Sequence, residues 1–232
     1  MITILRVLAA ALALAFIVGC GPHAAAQQRA LRSDSQYPLV GDHGRSVANH
    51  TVTLAAPIDQ LPGVVSVGNP RGKTELVEFY DLNCPFCRIA SVDISDLVDT
   101  DPELKLVLVP YPVLGPASVA ASRIELAVAK LGTSRQFYEF HRRIYGQHGT
   151  ADGLRALAVA GELGLDQPAL RALGDSAQTT QIIKAHLALG STLGLAATPS
   201  FILGNLAILG YPGRESLQAM VEAADRCGKP MC

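Results

Sequence analysis

Cys84-Pro85-Phe86-Cys87 stands where a strand-like run hands over to a helix-like one, and this pairing constrains the chain more than any other feature. Thr74-Glu-Leu-Val-Glu-Phe-Tyr80 is apolar, β-branched and aromatic enough to predict a buried strand. Asp81-Leu-Asn83 breaks it. Asn83 is expected to cap a helix with Pro85 in its first turn, after which Phe86, Ala90, Ile94, Leu97 and Val98 recur at helical spacing. A thiol at that junction faces unpaired amides and the positive end of the helix dipole, which favour thiolate. Its pKa then falls from about 8.5 into a range of roughly 3.5 to 7.5. Cys84 is therefore expected to be the attacking or leaving sulfur and Cys87, one turn further in, the resolving one. A ring this short gains little from loop closure, which suits shuttling better than stapling. Two other readings use the same residues. One is half of a four-cysteine zinc site completed by Cys227 and Cys232, and the other is an inert disulfide. The strand-to-helix context weighs against both, so neither metal nor cofactor is expected.

The five cysteines also need a compartment. Residues 1–19 are apolar except for Thr3, Arg6 and Gly19, and their uninterrupted run from Val7 to Val18 is too short to cross a bilayer as a helix. With Arg6 before the run and small residues after it, 1–19 reads as an export signal. Ile17-Val-Gly-Cys20 resembles a bacterial lipobox, which would leave Cys20 acylated and the chain membrane-anchored; ordinary cleavage near Ala24 to Ala26 is the other reading. Both imply a periplasmic or cell-envelope location, where disulfides persist. Cys227 and Cys232 are then a candidate structural disulfide closing the tail, with a second redox pair or free thiols as alternatives.

Residues 20–67 are irregular and predict a tether with an edge segment, Val52 to Ala56 being strand-like. A domain is expected over 68–232. After Thr74–Tyr80 and the first helix comes a buried strand at Leu104 to Val109. Helical periodicity then runs over Ala117 to Leu131, Arg135 to Tyr145, Leu154 to Leu163 and Thr179 to Leu193. That stretch is too long for one crossover helix and reads as a helical subdomain inserted at about 113–195. Strands at Ser200 to Leu203 and Leu206 to Leu209 flank a Gly204-Asn205 turn, and a helix over Arg214 to Ala224 closes the chain. The class is α/β.

Val77-Glu-Phe-Tyr-Asp-Leu-Asn-Cys-Pro-Phe-Cys87, the helical insert and Thr198-Pro-Ser-Phe201 together resemble the DsbA-like branch of the thioredoxin superfamily, exported bacterial thiol-disulfide oxidoreductases. The resemblance covers about Gly68 to Ala224 and implies a thioredoxin-like fold. It also implies a cis Pro199 beside the catalytic pair, and Thr198 and Pro199, with Pro85 and Phe86 between the cysteines, as substrate-binding positions. Glu78 lies mid-strand six residues before Cys84. An exposed strand face is one reading of it. In a buried run, an unpaired carboxyl raises its own pKa and suits proton exchange with a thiol, and the resemblance implies a buried glutamate there, so Glu78 is expected to relay protons for Cys87. The best-known members carry Pro-His between the cysteines; Pro-Phe here removes an imidazole that would stabilise Cys84.

With 19 basic against 20 acidic residues the chain lacks the positive excess that nucleic-acid binding needs. Gly68-Asn-Pro-Arg-Gly-Lys-Thr74 imitates a phosphate-binding loop, but is one residue short and leads into a strand. His141 and His148 are expected on the surface, as are Arg142 and Arg143. The expected activity is introduction of disulfides into unfolded or partly folded exported proteins, with a membrane redox partner resetting Cys84/Cys87. Isomerase or reductase work at the same site, as in cytochrome maturation, is the alternative. A non-catalytic peptide-binding module is an alternative of another class. No heptads precede Pro70, so a monomer is expected.

Overall fold

The computed structural model describes residues 37–232, so the expected export signal and Cys20 lie outside the described residues. Six strands form one sheet in the order β1-β6-β5-β3-β4-β2: β1 (Ala48–Thr51), β2 (Val65–Gly68), β3 (Thr74–Tyr80), β4 (Leu104–Pro110), β5 (Ser200–Leu203) and β6 (Leu206–Leu209). β3 and β4 are parallel and every other pair is antiparallel. Helix α1 (Pro85–Thr100) makes the crossover between β3 and β4. Helices α2 (Pro116–Leu131), α3 (Ser134–Gly146), α4 (Gly153–Glu162), α5 (Gln167–Gly174) and α6 (Ala177–Thr192) follow, and α7 (Arg214–Cys227) ends the fold.

The central strands read as continuous apolar runs because both sheet faces are covered. Leu76 and Tyr80 of β3 join Leu106, Leu108 and Phe201 under α1, α7 and the helical insert. Val77 and Phe79 point the other way, onto Val107, Ile202, Ile58 and Leu193. Strand periodicity thus puts Glu78 on the Leu76/Tyr80 face, opposite Phe201 of β5 and Leu108 of β4.

The segment expected to be tether and edge contributes two strands from Tyr37 onward. Both are edge strands: β1 lies earlier than the expected Val52 to Ala56, and β2 pairs with β4 at the opposite edge. Ala48-Asn-His-Thr51 has no strand-like composition. It is held by β6 and by Asn49, which bonds both Tyr37 backbone groups at 3.0 and 2.9 Å. In the insert, side-chain oxygens cap successive helices: Thr133 at α3, in a reciprocal box with Gln136, then Asp152, Asp166 and Ser176. Helix α5 is absent from the sequence expectation. Its two turns are too short for a clear period, although Asp166 followed by Pro168 is a start signal.

Candidate active site

Cys84 is the N-cap residue of α1, with Pro85 in the first turn. Asn83 does not cap the helix. Its amide instead ties the loop to the insert, donating to Ser118 Oγ (3.0 Å) and the Ala151 carbonyl (2.9 Å) and accepting from Ala151 N–H (2.7 Å). Buried Asp81 holds the same turn. Its carboxylate accepts from the Asn83 and Leu114 amides (2.8 Å each) and from Ser118 Oγ (2.7 Å). Its carbonyl accepts from Tyr145 Oη at 3.0 Å. Fixed backbone on both sides leaves the cysteine junction little freedom to drift.

Both thiols are free. Hydrogen bonding by the Cys87 thiol, opposed by burial and assisted by Thr198 and by the Phe86 and Cys87 amides, brings Cys84 down to about 6. In its thiol form Cys84 donates to the Thr198 carbonyl at 3.1 Å. The Thr198-Pro199 peptide bond is cis. Cys87 is fully buried, and burial, its hydrogen bond to Cys84 and the nearby Glu78 charge push its thiol far above the ordinary range. Glu78 is 1% exposed, its Oε1 has no hydrogen-bond partner, and burial followed by the charges of Cys84 and Glu125 raises it to about 8. Proton affinities therefore diverge across a few residues: Cys84 releases its proton near neutrality while Glu78 and Cys87 retain theirs.

The surface around Cys84 is apolar. Phe86 (57% exposed), Ile89 and Val92 form an oblique stripe along α1, and Val113 and Leu114 stand on the loop tied to Asp81. A groove of about 570 Å³ runs beside Phe86 and Thr198, lined also by Arg45, Val47, Leu209 and Tyr211.

Cys227 and Cys232 are bonded to each other at the other end of the fold's last helix, with a Cα–Cα distance of 6.3 Å. Two of the four sulfurs required for the zinc arrangement are thus consumed, and among the described residues no three His, Cys, Asp or Glu side chains gather as ligands. His148, Arg142 and Arg143 are exposed as expected, but His141 is 3% exposed. It stacks edge-on with Tyr80 (4.5 Å between centroids) and Tyr145 (5.0 Å), and its Nδ1 lies 3.3 Å from Glu125 Oε1. The sequence signal for this burial is the helical stripe Phe137, His141, Ile144, which the seven-residue spacing to His148 does not reveal. Glu125 is likewise a fully buried carboxylate that sequence reasoning passed over, although it interrupts the stripe Ala121, Glu125, Val128.

Over 187 residues the chain is 26% identical to the Na(+)/H(+) antiporter NhaA of Herminiimonas arsenicoxydans, covering 79% of this chain but only 29% of that curated relative. Among the described residues no helix is long and apolar enough to cross a membrane. A thioredoxin-like oxidoreductase from Silicibacter pomeroyi DSS-3 is 34% identical, with a TM-score of 0.67 over 74% of this chain and 99% of that one. The thiol-disulfide exchange protein alpha-DsbA2 from Wolbachia pipientis is 25% identical, with a TM-score of 0.63 over 68% of this chain and 85% of that one. The family model described as a DSBA-like thioredoxin domain matches residues 75–224, from the strand that carries Glu78 to the last helix, and the chain belongs to that family of thiol-disulfide oxidoreductases.

Proposed function

We propose that this chain is an exported oxidoreductase that introduces disulfides into unfolded or partly folded exported proteins through Cys84/Cys87. The observation that carries this reading is the divergence of the two thiols, Cys84 held near 6 and Cys87 far above the ordinary range. A stabilised Cys84 thiolate favours the reduced protein, so the Cys84–Cys87 disulfide is the oxidising form.

A substrate thiolate attacks Cys84 Sγ of that disulfide. The Cys84–Cys87 bond breaks, a substrate–Cys84 bond forms, and Cys87 leaves with the electron pair and takes the proton of Glu78. A second substrate thiolate then attacks the substrate sulfur, releasing Cys84 as a thiolate. Two electrons pass from substrate to the pair, which a membrane redox partner reoxidises. Extended substrate runs along the Thr198-Pro199 backbone with apolar side chains against Pro85 and Phe86, a mode supported by the groove and the exposed stripe. The export signal and Cys20 would bring the chain to the cell envelope and anchor it there by lipid.

Phe86 supports a second reading, isomerase or reductase, because Cys84 is stabilised without an imidazole between the cysteines. Alkylation trapping in growing cells separates the two. A mostly oxidised Cys84/Cys87 pair is expected, and a mostly reduced one would overturn the oxidase in favour of the second reading.

A further inference from the structure

The groove beside Cys84 has a basic rim and no acid. Phe86 and Thr198 bring it to the cysteine, whose Sγ lies 3.1 Å from the Thr198 carbonyl oxygen, and Arg45 and His43 line its far wall. No aspartate or glutamate lines it, in a chain of 19 basic and 20 acidic residues. The two acids attached to its walls are engaged elsewhere. Asp42, three residues before Arg45, accepts from the Glu215 and Ser216 amides (2.9 and 2.8 Å) and from Ser216 Oγ (2.7 Å), so its charge closes the N-terminus of α7. Asp93 of α1 accepts from Tyr211 Oη at 2.5 Å and faces Arg214 at 3.5 Å. Arg45 is exposed and, among the described residues, pairs with no carboxylate.

Fixed backbone presents this arginine. Residues 40–46 form a hairpin in which Val40 bridges Ser46 and the Gly41 amide donates to the Arg45 carbonyl at 2.9 Å. The hairpin is seated on the turn before α7, where the Asp42 amide donates to the Pro212 carbonyl at 2.9 Å. The approach is so close that a Cβ on Gly41 would run into that carbonyl, and one on Gly213 into the Asp42 carboxylate. A guanidinium at the rim of an apolar groove without acids attracts negative charge, and its planar fork matches a carboxylate in geometry. We infer that Arg45 is a specificity-determining residue, selecting exported polypeptides that carry an aspartate or glutamate near the cysteine they present to Cys84. The substrate backbone lies along Thr198 with apolar side chains against Phe86, Val47 and Leu209, and the acidic side chain reaches Arg45 at the rim. Arg45 touches none of the reacting sulfurs, so it acts on encounter and binding and leaves the thiol-disulfide step itself as it is.

This inference rests on the peptide-exchange activity proposed above. It is tested with the full chain in its oxidised form and matched dithiol peptides in which one position, scanned along both flanks of the reacting cysteine, is Glu or Lys. The quantity read is the Glu-to-Lys rate ratio in the wild type divided by that in Arg45→Gln, because the effect of a neighbouring charge on the peptide's own thiol then cancels. At the favoured position it should be about threefold to tenfold at low salt, expressed in KM, and should shrink as salt rises. Arg45→Glu should invert the wild-type preference, and Arg45→Lys should retain most of it. A quotient of one at every position would overturn the selection while the peptides are still oxidised. If the wild-type protein oxidises no peptide, the exchange reading fails and the selection falls with it. A photo-crosslinker placed at Ser46 should capture the Glu peptide; capture of the chain's own amino-terminal segment or of a second copy would give the groove to that occupant and overturn the proposal.

Discussion

The protein carries two short-range cysteine pairs at opposite ends of two helices. Cys84 sits at the N-terminus of α1 with free amides and the positive dipole end before it, buried and in contact with the Thr198 carbonyl. Cys227 is the last residue of α7, where the dipole is negative, and Gly228 ends the helix in the left-handed conformation at φ 70°. The first pair is free and asymmetric in proton affinity, and the second is bonded and exposed at the tail. Ring size hardly separates them. The helix end and the polarity of the surroundings do, because thiolate stability at one sulfur and proton supply at the other turn a disulfide from a staple into a carrier.

The largest effect expected from this contrast is on activity. Cys84→Ser should reduce catalysed insulin-disulfide reduction to the uncatalysed rate, whereas the double variant Cys227→Ser/Cys232→Ser should retain full turnover. Loss of turnover in the double variant would break the contrast. The tail disulfide should appear only in stability, lowering it by about 2 kcal/mol or less in urea unfolding, as its short loop implies.

Next in size is Glu78→Gln, expected to slow proton-dependent exchange at Cys87 roughly a hundredfold in stopped-flow thiol assays. It should also change stability against pH. The folded-state value of Glu78 is raised from 4.5 to about 8, so the stability tied to its proton is fully present below 4.5 and lost as pH rises through 8. The variant's profile should be flatter across that window, and parallel profiles would show that Glu78 is not held protonated.

Cys84 runs the other way. Its value is lowered from 9.0 to about 6, so the stability it gives the reduced protein is fully present above 9 and lost as pH falls through 6. Iodoacetamide labelling of Cys84 should have its midpoint near 6; a midpoint near 9 would remove the asymmetry between the pairs. The smallest effect is expected from Phe86→His, which places an imidazole beside the thiolate and should lower that midpoint by about one pH unit, with a more oxidising potential. An unchanged midpoint would show that the position does not reach the sulfur.

Much of this contrast was legible in the sequence because it depends on local order. A strand run, a breaker and Cys-Pro-Phe-Cys at a helix start are all neighbours, and β5, its turn and β6 were bounded by Gly204-Asn205. Two elements escaped, α5 because two turns show no clear period and β1 because it is made by tertiary pairing. β1 is a strand because β6 offers it hydrogen bonds, despite its composition. The polar cluster behind the cysteines escaped for a related reason: Glu78, Glu125 and His141 come from three elements, and nothing local to Glu125 shows that Tyr80 will reach it. A charged residue inside an otherwise apolar stripe was the one available cue, acted upon at Glu78 and passed over at Glu125. Asn83 shows the reverse error, a good capping residue drawn away by Ser118 and Ala151.

The register of β3 has a consequence for how this sequence can change. Side chains alternate faces, so a one-residue slip would carry Glu78 and Tyr80 across the sheet to the layer now occupied by Val77 and Phe79. Packing and proton supply would be lost in the same step. Substitutions in β3 can be sampled one position at a time, but insertions and deletions there are closed to drift, and a lineage can gain or lose residues freely only outside the span where hydrophobic alternation and acid chemistry share one reading frame.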